Sequence, residues 1–239
     1  MTSFQYARNI IVAGGNQYLR NEDYVAYEQG TLNALLEIMK NNWTGYGIIL
    51  LISEMRGKEV IITPNFSMRC NASAGLPSWK SPNQIEIVYS PLVFGKNTCS
   101  SPGFTPDEAL LHELIHAYRQ LRHGLVKEAP IFAPKFNYDN FEEFVAILLT
   151  NIYASAKKRT VLRKDHGATS LPQSLSQSDT FFKNENNHAK PIHDLICQDY
   201  FLIQNYVRKD DGLFNPVKYF FSHSDECVAM IPGPLVADP

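Results

Sequence analysis

The sequence predicts an α+β domain: a small twisted mixed sheet packed on one long helix, with further helices C-terminal to it. Three observations carry this expectation. Short β-branched runs lie within the first ninety residues. A sharply bounded helix follows at about 105–124. Long stretches of helical periodicity come after it. With 239 residues, 44% of them hydrophobic and 19% charged, the chain has material for a sizeable core. Residues 1–239 read as a single domain whose core spans about 20–210.

Residues 21–40 show helical spacing at Tyr24, Tyr27, Leu32, Leu35, Leu36 and Met39, with Gly30 as the weak point. The apolar run Ile48 to Ile52 reads as a strand, as does Glu59 to Thr63, which stops at Pro64. Residues 65–84 are rich in Asn, Ser, Gly and Pro and read as a loop. Ile85 to Tyr89 alternates apolar and polar and ends before Pro91, the pattern of a strand at a sheet edge, where an extended substrate backbone could pair with it.

Thr105-Pro106-Asp107-Glu108 is a helix start: Thr105 can cap, Pro106 suits the first helical position and Glu108 completes a capping box. This helix should reach about Arg122 and stop at Gly124. A connection with Pro130 and Pro134 leads to a second long helix from Asn140 to about Lys158. Residues 167–191, polar and rich in Ser and Asn, read as a long surface loop. A helix is expected from His193 to Arg208, and an irregular Pro-rich tail over 230–239. The sequence contains no internal repeat.

A formal net charge of -2 offers no strong field for nucleic acid or acidic membranes. The basic run Lys157, Lys158, Arg159, Arg163 and Lys164 reads as a solvated helix end. Cys70, Cys99, Cys197 and Cys227 form no CxxC pair and are expected to be mostly buried thiols. No stretch is long and apolar enough to span a bilayer. Met1 to Gly15 lacks the pattern of a Sec signal, so export would need another route.

The chemistry lies in His112-Glu113-Leu114-Ile115-His116, an HExxH motif on the capped helix. Side chains four apart share a helix face, so His112 and His116 can point two imidazole nitrogens at one cation. Zinc is favoured by imidazole ligands and tetrahedral geometry. Glu113 can reach a water activated by the metal, take its proton and later deliver it to a leaving amine. A catalytic zinc needs a third protein ligand. The metzincin pattern would place Gly at 119 and His at 122, whereas this chain has Arg119 and Arg122. His123 is one position out of register and is expected to solvate the helix end. The second helix offers adjacent carboxylates, Glu142 and Glu143. Glu143 points away from the apolar stripe of Phe141, Phe144, Val145 and Leu148 and is favoured, with Glu142 left open. Two solvated first-turn glutamates would be the bland alternative. Tyr118, Tyr153, Arg163 and His166 are candidate donors to a developing oxyanion.

Leu111 to Arg119, with HELIHAYR, closely resembles the active-site helix of the NleD-like family of bacterial effector zinc metalloproteases. Asn140 to Tyr153, NFEEFVAILLTNIY, is similar to the segment that follows in that family, and the strand ending Val88-Tyr89-Ser90-Pro91 is similar to theirs. The resemblance covers about residues 45–170. Residues 1–40 and 171–239 carry none of it. It implies a compact zincin fold, His112 and His116 as ligands, Glu113 as catalytic base and a downstream Glu as third ligand. It also implies delivery into another cell, where some members cleave mitogen-activated protein kinases in the activation loop. The resulting expectation is a secreted, monomeric zinc endopeptidase acting on a host protein. The alternatives are a toxin peptidase acting on cell-wall peptides and a zinc-binding module without activity.

Overall fold

The computed structural model describes residues 3–13, 21–40, 42–64, 72–76, 81–91, 105–124, 138–165, 169–183, 188–208 and 212–231. The chain divides into two compact units, Met1–Lys127 and Glu128–Pro239. Mixed strands and helices make it an α+β protein. Among the described residues no helix is long and apolar enough to cross a membrane.

In the first unit, strict alternation builds the sheet. Strands β1 (Ser3–Ala7), β2 (Ile10–Ala13), β3 (Glu59–Pro64), β4 (Ser73–Gly75) and β5 (Gln84–Tyr89) lie in the order β1-β2-β3-β5-β4. β2, β3 and β5 run parallel, while β1 and β4 are antiparallel margins. In register, Ile10 faces Val60 and Val60 faces Ile85, and Val12, Ile62 and Ile87 form the next row. These residues are buried, because side chains two apart share one face of a strand. The other face is half-exposed and mixed, with Ile11, Ile61 and Val88 beside polar pairs: Gln84 donates to Glu59 and Thr63 donates to Glu86, both at 2.8 Å.

Helices α1 (Asn21–Lys40), α2 (Asn42–Glu54) and α3 (Pro106–His123) pack on one another; α1 and α2 meet β2, and α3 meets β5 and β4. Helix α1 is as predicted, but its buried stripe is Tyr27, Thr31, Ala34, Leu35 and Ile38, while Leu36 and Met39 are exposed. The predicted strand Ile48 to Ile52 is instead part of α2. Thr44, Ile48, Ile49 and Ile52 are buried at helical spacing, and a short apolar run cannot by itself distinguish the two periods. Asn9, at φ 70° in the β1–β2 turn, donates through Nδ2 to the carbonyls of Ile52, Ser53 and Met55 at 2.9, 3.2 and 2.6 Å. The end of α2 is thus satisfied by a residue far away in sequence. Strand β5 is also corrected: it is interior, flanked by β3 and β4. Its outer side is taken by β4, three residues drawn from the stretch read as loop.

The second unit is helical: α4 (Phe141–Ala156), α5 (Ser178–Phe182), α6 (Ala189–Gln198), α7 (Tyr200–Arg208), α8 (Pro216–Ser222) and α9 (Ser224–Ala229). The predicted surface loop at 167–191 holds a 3-10 turn at Gln173–Leu175, then α5 and the start of α6. Leu171, Phe181, Phe182 and His188 are buried there, so apolar anchors override the polar composition. The predicted helix from His193 to Arg208 is broken at Asp199, whose φ of -132° and ψ of 48° end α6. The basic run is not wholly solvated: Arg163 is buried, and its backbone N–H and C=O are both bonded to the Asn151 side chain, at 2.9 and 2.7 Å. Of the cysteines, Cys227 is buried but Cys197 is exposed. Cys70, Cys99 and the tail from residue 232 lie outside the described residues.

Two tests follow from this packing. A Cβ on Gly212 would stand 2.8 Å from Ala156 N and 2.9 Å from Ser155 C, both rigid backbone. Gly212→Ala should therefore lower stability by about 1–3 kcal/mol in chemical denaturation. His188 stacks on Phe181, centroids 3.9 Å apart, with Nδ1 3.0 Å from the Phe181 carbonyl. Burial lowers its pKa to about 4, partly offset by that hydrogen bond. The unfolded chain then binds a proton that the folded chain refuses between pH 6.5 and about 4. Stability should be undiminished above that window and fall through it on acidification, by about 3 kcal/mol in all. His188→Phe should flatten that part of a denaturation-versus-pH curve.

Candidate metal centre

Helix α3 is bounded as its sequence predicts. Thr105 is the extended N-cap, Pro106 opens the first turn, and Gly124 ends the helix at φ 78°. The Thr105 hydroxyl makes no cap hydrogen bond, so the predicted capping box does not close through its side chain. Tertiary contacts hold the ends instead. Tyr89 Oη donates to Pro106 O at 3.0 Å, joining the end of β5 to the first turn. Lys58 Nζ donates to Leu121 O, placing a cation on the last-turn carbonyls where the helix dipole favours it.

His112, Glu113 and His116 are 5, 7 and 8% exposed. The two Nε2 atoms lie 3.1 Å apart and the rings are nearly perpendicular, at 81°. Two imidazole lone pairs at that separation repel unless a proton or a cation lies between them. Tetrahedral zinc with Zn–N bonds of ~2.0–2.1 Å sets its nitrogens about 3.3 Å apart, so the pair has the bite of a bidentate zinc ligand.

Glu143 is the third residue of α4, whose N-cap Asn140 accepts a 2.8 Å hydrogen bond from the Glu143 backbone N–H. The cap fixes the first turn and with it the base of the Glu143 side chain. Ligand atoms of His112, His116 and Glu143 all lie within 4.8 Å of one another, and this group could hold a metal ion. Two imidazoles and one carboxylate suit zinc and leave a fourth position open. Of the two adjacent glutamates, Glu143 rather than Glu142 belongs to this group.

The other candidates have different surroundings. His123 is exposed at the end of α3, as expected, and Arg122 is exposed beside it. Arg119 is 1% exposed. The Tyr153 hydroxyl accepts from Lys157 Nζ at 3.3 Å, and Arg163 Nε donates to Asp165 O at 2.8 Å, so both have structural partners. Tyr118 is buried. His166 lies outside the described residues. Sequence reasoning passed over Asn140, although an Asn immediately before Phe141-Glu142-Glu143 is a recognisable cap signal.

No protein-family model matches the chain, and no curated protein or solved structure shows significant similarity to it. The case for the site rests on its own donor set. If the group holds a divalent metal ion, Glu143→Gln and His116→Ala should each weaken its binding at least tenfold in chelator competition, a lower bound taken from the loss of outer-shell partners. Glu142→Gln should leave it within twofold.

Proposed function

We propose that this chain is a zinc metalloendopeptidase of zincin-like fold. The observation that carries the reading is the His112, His116 and Glu143 group, together with Glu113 next to the first ligand on the same helix. A purely structural zinc would prefer four closed protein ligands and would have no use for a neighbouring general base. His112 and His116 would hold the ion through Nε2, and Glu143 through a carboxylate oxygen. Zinc supplies a Lewis acid that acidifies water and polarises a carbonyl.

Glu113 supplies the proton transfers. Its carboxylate accepts a proton from the attacking water as the new C–O bond forms. It then returns that proton to the amide nitrogen as the C–N bond breaks, which balances the hydrolysis. Burial of α3 around the motif keeps the carboxylate and the imidazoles in fixed rotamers, so little reorganisation is needed at the moment of reaction.

By its resemblance to the NleD-like effectors, the physiological reading is a monomeric protein delivered into a host cell. Its substrate would be a host protein, with mitogen-activated protein kinases as the first candidates. Fragment masses from a host proteome, with and without a chelator, test this reading and identify the scissile bond. Glu113→Gln should retain zinc while lowering kcat by about 10²–10⁴. Identical fragments from wild type and Glu113→Gln would refute the enzyme, and cleavage confined to peptidoglycan peptides would refute the host target.

A further inference from the structure

We propose that Thr160 is a phosphorylation site for a basophilic serine/threonine protein kinase that uses MgATP as phosphoryl donor. Delivery into another cell, as proposed above, is where the chain would meet such an enzyme; the site itself does not depend on peptidase activity. Of the basic run, Arg163 is buried, but Lys157, Lys158 and Arg159 stand immediately before Thr160 on accessible chain. Lys158 and Thr160 are exposed, Lys157 and Arg159 are half-exposed, and Val161 is 51% exposed.

The backbone explains why a stretch that follows an apolar, buried helix is presented to solvent. Helix α4 ends at Ala156, and Lys158 takes φ 61°. Lys158 N donates to Ser155 O at 2.8 Å and Arg159 N donates to Ala154 O at 3.0 Å. This pair of bonds around a left-handed residue is a Schellman closure, which satisfies the last carbonyls and turns the chain off the helix. The chain is fixed again where Leu162 is buried and the Asn151 side chain binds both backbone groups of Arg163. Residues 159–161 cross between these two anchors as neither helix nor strand. A kinase must bring an acceptor hydroxyl in line with the γ-phosphate, and it reads the flanking residues largely by charge. Three cations before the hydroxyl and an apolar residue after it suit acidic subsites. A proline-directed or acidophilic enzyme finds neither a proline nor a carboxylate beside Thr160.

In the transfer, Thr160 Oγ1 bonds the γ-phosphorus of ATP as the bond to the β,γ-bridging oxygen breaks. ADP leaves, and the hydroxyl proton passes to the kinase's catalytic carboxylate. The new group carries about −1.5 to −2 charges at neutral pH. The negative end of the α4 dipole opposes it, and the neighbouring cations offset it. Lys157 and Arg159 rest over the Tyr153 ring, 5.4 and 5.9 Å from its centre, so the phosphate draws both cations from an aromatic face at the end of α4.

The native full chain is incubated with the catalytic domain of a basophilic kinase and MgATP, and the product is mapped by mass spectrometry. One phosphate on Thr160 is expected. It should be absent from Thr160→Val and form about tenfold more slowly in Lys158→Gln, the loss of one charge-assisted contact. Native chain that takes no phosphate on Thr160 would overturn the proposal, and uptake by heat-unfolded chain alone would trace that failure to a fold that hides the hydroxyl. An unchanged rate in Lys158→Gln would overturn the basophilic recognition. Phosphate and proteolytic fragments are read separately, so failure here is distinct from failure of the peptidase.

Discussion

Two imidazole nitrogens 3.1 Å apart on a buried helix are the constraint on which the rest depends. Such a pair is not a comfortable resident of an apolar core. Each ring loses hydration, and the facing lone pairs must share a proton or a cation. The surroundings are arranged so that α3 tolerates it. Leu110, Leu111, Leu114 and Ile115 are all fully buried and supply the apolar area that offsets the polar face, at about 1.5–3 kcal/mol for each such side chain. Tyr89 at one end and Lys58 at the other tie the helix to neighbouring strands and turns. The helix is therefore held by residues that have no part in the chemistry.

The acidic partner is controlled by a different device. Asn140 fixes the first turn of α4 through one side-chain hydrogen bond to Glu143 N. The same turn thus carries a stabilising cap and a candidate ligand. A first-turn carboxylate is favoured by the helix dipole whether or not it binds anything, so Glu143 costs the helix little. This explains how a negatively charged side chain can stand at the head of the apolar α4, where twelve residues from Phe144 to Ser155 are buried.

Much of this was legible in the sequence, and the limits have physical causes. The bounds of α3, strands β3 and β5, and helix α4 follow from spacing and turn signals. These are local signals. The apolar run of α2 is compatible with both periods and is resolved only by burial against α1, α3 and β2. The interior position of β5 depends on β4, a strand too short to have a pattern. Helices α5, α8 and α9 are five to seven residues long, below the length at which periodicity can be read. Their places are set by contacts such as Asn215, which accepts from Lys218 N and donates to Tyr206 O.

The two margins of the sheet carry a further consequence. A bare strand flank is a template on which a second chain can zip up through its backbone, the usual seed of aggregation. Among the described residues one flank offers only Ser73–Gly75. The other loses register between Gln5 and Ala7, which twists its outward amides and carbonyls off a straight ladder. The parallel hydrophobic strands between them are the segments most prone to self-association, and they are closed in by neighbours that propagate poorly. Within this unit, short and irregular margins thus shield the parallel strands from pairing with a second chain.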